Sequence, residues 1–334
     1  MSTLKPDKIV EVMSGYMLSW YIFAARRLRF FERLGERPFS AKELAENVGI
    51  GERKAGIILS NLESAGLVTR DNGAYRNSPE ADHYLTGKVP DDDMRPCLRF
   101  YEEMSCPAWT RFPEAVKTDG PIFGNLEFTP EQQKIFTEGV ESVTTPTARA
   151  LAESYDFSQH RSVLDLGGGR GSYGIWILER HPGVFYTLFE WPQVAKLARE
   201  RFVGHKLAGK VEIHEGDFFR DPLPGNHDCV LVANVIHLYT PEENLELLRC
   251  IRKGVPDGAK LLLVDYFTGV SSVESPITLR WSGEFMMFSG GKGGGYSQQE
   301  ILDLLAKTGW KYNDTLPLTS YTSCVIAEAI GSNA

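Results

Sequence analysis

Ser162-Val163-Leu164-Asp165-Leu166-Gly167-Gly168-Gly169-Arg170-Gly171-Ser172-Tyr173-Gly174 is the stretch that decides the fold. An apolar run closes on an acid, glycines follow, and Ser172 opens a helical pattern carried by Ile175, Trp176 and Leu178. That order predicts a strand, a tight turn and a helix, the opening unit of a doubly wound, mostly parallel α/β sheet. Glycine permits the sharp turn and lets a ligand reach the backbone without meeting a Cβ. Gly169-x-Gly171-x-x-Gly174 also fits a dinucleotide fingerprint, a weak signal on its own.

The neighbouring acids argue for a different ligand. Asp165 stands before the first glycine, where its carboxylate would point into the crevice, repelling a pyrophosphate and welcoming an ammonium. Tyr186-Thr187-Leu188-Phe189-Glu190 reads as a second strand ending in an acid placed to take ribose hydroxyls. A third, Val211 to Glu215, leads into Gly216-Asp217-Phe218, an acceptor for an adenine amino group and a ring to pack on the base. Three carboxylates at successive strand ends suit a ligand with an ammonium, a ribose and an adenine but no phosphate. S-adenosylmethionine answers that description. The competing reading makes the same acids helix caps and turn formers.

The 334 residues allow two domains, and 42% hydrophobic content supports a sizeable core. A net charge of −8 argues against a dedicated nucleic-acid binder. Cys97, Cys106, Cys229, Cys250 and Cys324 are an odd count without CxxC spacing, as expected of reduced thiols in a cytoplasmic protein. Met13 to Ala25 is apolar but too short for a membrane span, and Arg26 and Arg27 stand where a secretory cleavage site would want small residues. It reads as a buried helix, with a subunit interface as one place to bury it.

Upstream of the sheet, residues 1 to about 35 read as helix. Ser40 and Glu43 have the spacing of a capping box. A turn at Asn47–Ile50 and an amphipathic helix from Arg53 to Ala65 follow, and Asp71-Asn72-Gly73 joins two short strands. Helix, turn, helix and hairpin spell a winged helix. Residues 1–90 hold 13 Lys and Arg against 11 Asp and Glu, and only Arg53 and Lys54 lie near the start of the second helix. A recognition helix wants more phosphate and base contacts than that, so packing or dimerisation is the expected role and DNA binding the lesser one. The acidic run Asp91–Asp93 reads as a helix start or hinge. From Cys97 to about Ser154 the pattern is helical and rich in rings: Phe100, Tyr101, Trp109, Phe112, Phe123, Phe128 and Phe136.

The expected domains are a winged helix over 1–95, a helical segment lining a pocket over 96–155, and the sheet over 156–334. Further strands are expected at Cys229–Ala233, Leu261–Asp265 and Tyr321–Ala327, with helices at Glu242–Lys253 and Gln298–Lys307. His83, His160, His181, His205, His214 and His227 show no metal-ligand spacing, and no metal is expected. Ser172 lies outside any GxSxG elbow, which speaks against a hydrolase.

Asp165-Leu166-Gly167-Gly168-Gly169-Arg170-Gly171, Glu190, Gly216-Asp217-Phe218 and Asn234-Val235-Ile236-His237, behind a winged helix, resemble the small-molecule O-methyltransferase family. This family includes plant phenylpropanoid and bacterial natural-product enzymes, and the likeness extends over nearly the full length. It implies a class I methyltransferase domain and S-adenosylmethionine held by Asp165, Gly167, Gly169, Glu190, Asp217, Phe218 and Asn234. It implies a homodimer whose N-terminal helices help close the partner's pocket, a small-molecule acceptor, and no nucleic-acid or membrane partner. It also places a base at His237. A histidine titrating near neutrality is a reasonable acceptor for a phenol proton, while methyl transfer itself asks mainly for alignment and exclusion of water.

Two departures stand out. Many members follow the histidine with Asp, whereas Leu238 follows here, so another acid must orient the ring: Glu242, Glu243 and Asp265 are candidates. The acid-bearing stretch of the plant members is replaced by Gly290-Gly291-Lys292-Gly293-Gly294-Gly295-Tyr296, a flap over the pocket or a solvent loop. That loss leaves room for N- or C-methylation, or for non-methylating chemistry such as hydroxylation, decarboxylation or pericyclic steps. By its place in the family, Trp281, Phe285, Met286, Met287 and Phe288 border the acceptor site on one face. Trp109, Phe136, Trp281, Phe285 and Met286 are the candidate lining residues, fitting a flat aromatic or polyketide-like acceptor.

Overall fold

Ser162–Leu166 is the third strand from one edge of a seven-stranded sheet in the computed structural model, which describes residues 5–117, 128–270, 276–290 and 292–331. The described chain divides into two units, 1–106 with 138–143 and 107–137 with 144–334, so the helical stretch 96–155 is shared between them. Phe123 and Gly291 lie outside the described residues.

In the first unit the expected N-terminal helix is three: Asp7–Ser14, Tyr16–Arg27 and Phe30–Glu36. Arg29, at φ 60°, breaks the chain between the second and third. Ser40 and Glu43 form the capping box at the start of the Ala41–Val48 helix, and Glu52–Ser64 follows. Strand β1 (Phe39–Ser40), β2 (Val68–Asp71) and β3 (Ala74–Asn77) make the wing, ordered β1-β3-β2. Asn72 and Gly73 both adopt positive φ, as a two-residue hairpin turn demands. Phe30, Phe31, Leu34, Leu44, Leu59 and Leu62 form the core. The stretch from Met13 to Ala25 departs from the expected buried helix: Met13, Tyr16, Met17, Leu18 and Trp20 are exposed, and only Phe23 and Ala25 are buried. Six consecutive residues from Tyr16 are hydrophobic or aromatic but for Ser19, so they cannot all face one small core.

In the second unit the sheet comprises β4 (Ser162–Leu166), β5 (Phe185–Glu190), β6 (Val211–Glu215), β7 (Cys229–Ala233), β8 (Lys260–Asp265), β9 (Trp310–Pro317) and β10 (Ser323–Ala329), in the order β6-β5-β4-β7-β8-β10-β9. The first five run parallel, and β10 is antiparallel to both β8 and β9. β9 has no counterpart among the expected strands: Trp310-Lys311-Tyr312-Asn313-Asp314 gives an edge strand little apolar alternation to announce it. The sheet is covered on both faces. Leu164, Leu166, Val230, Val232, Leu261 and Leu263 enter one core, and Val163, Leu231, Ala233, Leu262 and Val264 the other. Continuous apolar runs are what strands buried on both sides require.

Chain order after β4 runs outward through β5 and β6, then returns to β7 on the other side of β4. The reversal opens a crevice at the carboxyl ends of β4 and β7, where such sheets hold ligands. Every strand-end acid read from the sequence lies along that edge. In spatial order the acids are Asp217 after β6, Glu190 on β5, Asp165 on β4 and Asp265 on β8, with Asn234 and His237 following β7 between the last two.

Candidate active site

Asp165 is fully buried beside the reversal. Tyr186, one strand over, donates its hydroxyl to Asp165 Oδ2 at 2.5 Å, while Oδ1 is buried with no partner among the described residues. Burial, and then the nearby Glu190 carboxylate, raise the Asp165 carboxyl to about 7, against the Tyr186 bond that lowers it. Such a carboxylate is short of a cation.

The glycine bend is shaped by these side chains. A Cβ on Gly168 would stand 2.3 Å from Asp165 Oδ2, and one on Gly167 2.7 Å from Val235. Gly169 differs, because a Cβ there meets nothing of the protein within 4 Å. Its N–H donates to Glu190 Oε2 at 3.0 Å, and Trp191 N–H donates to Glu190 Oε1 at 2.7 Å, so Glu190 ties the bend to the tip of β5. Burial raises the Glu190 carboxyl as well.

Asp217 accepts from Phe219 N–H at 2.9 Å and has Arg220 at 3.4 Å. It therefore shapes its own turn, as the capping reading proposed, with lone pairs to spare. Phe218 is 7% exposed and packs in the core beside Phe219 and Tyr239. Phe219, half-buried on the same turn, is the more open ring. Asn234 directly follows β7 at φ 58°, a left-handed conformation Asn tolerates better than most residues. Its amide donates to Tyr173 OH at 3.1 Å, and its Oδ1 is buried without a partner among the described residues.

His237 follows on the 3-10 turn Ile236–Leu238 and is buried. Of the three acids considered for it, Asp265 is the one in contact: Oδ1 lies 2.8 Å from His237 Nδ1. Glu243 instead caps the Pro241–Gly254 helix and pairs with Lys292 at 2.7 Å. A carboxylate can only accept, so Nδ1 carries the hydrogen, and in the neutral imidazole the lone pair is then on Nε2. Phe285 lies against the imidazole face, centroids 3.8 Å apart and planes 21° from parallel.

Tyr266, next after Asp265, contacts Phe285 at 5.4 Å, Trp281 at 4.6 Å and Tyr321 at 6.1 Å between centroids. Tyr266 and Tyr321 were not among the expected lining residues, though each sits at the carboxyl or entry end of a strand beside the crevice. Trp109 donates its indole N–H to Glu284 on the Pro276–Phe288 helix at 2.5 Å. Phe136 packs on Phe128 and Phe288. Met286 is half-buried on the same helix as Phe285. In the glycine-rich stretch, Gly294 N–H donates to His237 O at 3.0 Å, while Lys292 and Gly295 are exposed.

The chain is similar to known proteins. Residues 108–311 fit the model of the O-methyltransferase domain, and residues 10–87 that of the O-methyltransferase dimerisation domain. The chain belongs to this O-methyltransferase family. A 3-hydroxy-5-methyl-1-naphthoate 3-O-methyltransferase of Streptomyces sahachiroi is 32% identical over 264 residues, 77% of this chain and 76% of that one. Mitomycin 7-O-methyltransferase has a solved structure with a TM-score of 0.82 at 26% identity, covering 97% of each chain. Human N-acetylserotonin methyltransferase, solved with its methyl donor, shares the fold with a TM-score of 0.85 at 22% identity over 99% of each chain.

This O-methyltransferase takes its methyl group from S-adenosylmethionine. The residues present fit that group. Unsatisfied buried acceptors at Asp165 and Asn234 suit its ammonium, and the open space at Gly169 lets it lie on the backbone. Among the described residues no His, Cys, Asp and Glu cluster could hold a metal, and no helix is long and apolar enough to cross a membrane.

Proposed function

We propose that this O-methyltransferase methylates a ring hydroxyl of a flat aromatic small molecule made in secondary metabolism, with His237 as the base. The His237–Asp265 pair set against the face of Phe285 carries the reading. Bound S-adenosylmethionine supplies an electrophilic methyl on a sulfonium. Asp165, Gly167, Gly169, Glu190, Asp217 and Asn234 would hold it along the strand ends, with Phe218 acting through the turn it anchors. Nε2 would accept the proton of the acceptor hydroxyl while Asp265 stabilises the imidazolium, a contribution of about 10²–10⁴-fold. Phe285 and Trp281, with Trp109, Phe136 and Met286 farther out, would supply the apolar walls that align a planar ring and keep water away. The naphthoate enzyme named above, whose acceptor is a hydroxynaphthoate by name, supports that choice.

The protein acts as a homodimer in this reading. Met13, Tyr16, Met17 and Trp20 expose an apolar face on the first two helices, inside the stretch matching the dimerisation model. Its cysteines, all free, suit a cytoplasmic setting. The test is incubation with S-adenosylmethionine and a panel of 1-naphthol, 3-hydroxy-1-naphthoate, 1-hydroxyphenazine and 1-hydroxyanthraquinone. A product one methylene heavier, with the hydroxyl lost, is expected from at least one. Methyl transfer confined to nitrogen or carbon of other acceptors would contradict it.

A further inference from the structure

A single 3-10 turn is too short to hold itself, and the one carrying His237 is held from outside. Asn244 Nδ2 donates to Ile236 O at 3.0 Å, Gly294 N–H to His237 O at 3.0 Å, and Tyr296 OH to Tyr239 O at 2.6 Å. Two of these three donors belong to the stretch 292–296. Lys292 opens that stretch by pairing with Glu243 Oε1 at 2.7 Å, and Glu243 Oε2 accepts from Thr240 N–H at 3.0 Å at the start of the next helix. Gly293 N–H donates to Ser289 Oγ at 2.7 Å, closing the stretch onto the Phe285-bearing helix. The stretch therefore bridges the turn that bears the imidazole and the helix that bears the ring stacked on it.

Gly293 is where this bridge touches the histidine. A Cβ there would lie 2.1 Å from His237 O and 2.6 Å from Ser289 Oγ. The first is a backbone atom and cannot swing aside, so a methyl at 293 must move either the turn or the loop. At Gly294 the same methyl meets nothing within 4 Å, and at Gly295 it meets Ser282 Oγ at 2.3 Å, so the contact with His237 O is made at 293.

We propose that Gly293, with Lys292 and Gly294, is a positioning element for His237: close backbone contact sets how far the imidazole edge stands from the acceptor hydroxyl. Asp265 and Phe285 fix the direction of the ring, and the loop fixes the height of its backbone. The inference rests on the reading of His237 as the base. A displacement of about 1 Å in a reacting group can cost about 10²-fold, so the effect is expected in turnover rather than in cofactor binding.

Gly293→Ala, His237→Ala and the double variant decide it, assayed with the panel acceptor giving the highest wild-type rate. The His237 ring nitrogens are followed by NMR in the complex with S-adenosylhomocysteine. Gly293→Ala should lose about 10- to 100-fold in kcat and move the His237 nitrogen resonances, with S-adenosylmethionine affinity kept within about twofold. In the His237→Ala background the same substitution should change turnover by less than about twofold, because the residue it acts through is gone. Losses that multiply in the double variant, or lost turnover with unmoved resonances, would overturn the proposal. Full turnover in His237→Ala alone would instead sink the base reading, leaving the positioning claim to the resonances. Should Gly293→Ala fold poorly, Lys292→Met removes the tether without adding bulk. It should shift the same resonances and lower kcat by a smaller factor, and unshifted resonances there would count against the proposal.

Discussion

Asp265 Oδ1 lies 2.8 Å from His237 Nδ1 and also accepts the N–H of Tyr266 at 2.9 Å, so one carboxylate orients the imidazole and the first ring of its surrounding wall. Asp265→Asn keeps the shape but can present an N–H to Nδ1, which would put the hydrogen on Nε2. We expect kcat to fall about 10²- to 10⁴-fold with S-adenosylmethionine affinity retained. Steady-state kinetics with parallel calorimetry checks this, and a fall confined to KM would speak against the orienting role.

The buried Asp165 carboxyl predicts a conflict between stability and binding. Its folded value is raised to about 7, first by burial and then by Glu190. The unfolded value is near 4, so the folded state takes up protons more readily and loses stability as pH rises from about 4 to about 7. Asp165→Asn removes that penalty. It should raise the melting temperature of the cofactor-free protein at pH 8 relative to wild type, with a smaller gain at pH 5, while abolishing S-adenosylmethionine binding. Equal shifts at both pH values would contradict the account.

Gly169 separates fold from ligand. Its φ of 57° makes alanine cost about 1 kcal/mol, and no protein atom stands in the way of a methyl. Gly169→Ala should therefore melt close to wild type yet bind S-adenosylmethionine at least about tenfold more weakly, since the methyl fills the side from which a ligand approaches. Thermal melts paired with calorimetric titration give both numbers, and undiminished affinity would place the cofactor elsewhere.

Trp20 and Met17 are 50% and 48% exposed on a helix whose family model is a dimerisation domain. Trp20→Glu combined with Met17→Glu should shift the protein from dimer to monomer in light scattering, at micromolar concentration. A monomeric wild type, or a dimer untouched by both charges, would move the interface to another surface.

Trp281→Ala should raise KM for a fused-ring acceptor by about tenfold, the loss of one well-packed aromatic contact, with kcat less affected. Phe285→Ala should reduce both, because its ring also lies on His237. Equal effects of the two on kcat would mean that Trp281 reaches the base as well.

Much of this was legible because local chemistry and tertiary structure agree at the strand ends. Asp165, Glu190 and Asp265 each close an apolar run, and a parallel sheet brings such ends to one edge whatever the intervening helices do. Hairpin and capping-box signals worked for the same reason, since their bonds span only a few residues. What escaped notice depends on contacts between distant residues. Asp265 and Glu243 are equal candidates on paper, and only the register of β7 beside β8 chooses between them. The glycines of 293–295 look like freedom in sequence and prove to be close approach, to His237 O at 293 and Ser282 Oγ at 295. Met13 to Ala25 is apolar enough to be read as core, yet among the described residues only Phe23 and Ala25 of it are buried. The motif places Phe218 beside the ligand, and in the fold its ring also packs into the core behind that turn.

The pre-steady-state rate of methyl transfer in His237→Ala, measured with saturating S-adenosylmethionine and a naphthol-type acceptor, tests the central claim most directly. A rate lower by about 10²- to 10⁴-fold, recovered in part as pH rises and the acceptor ionises unaided, is the predicted result. An unchanged rate across that pH range, with cofactor bound as tightly as in wild type, would show that His237 takes no proton.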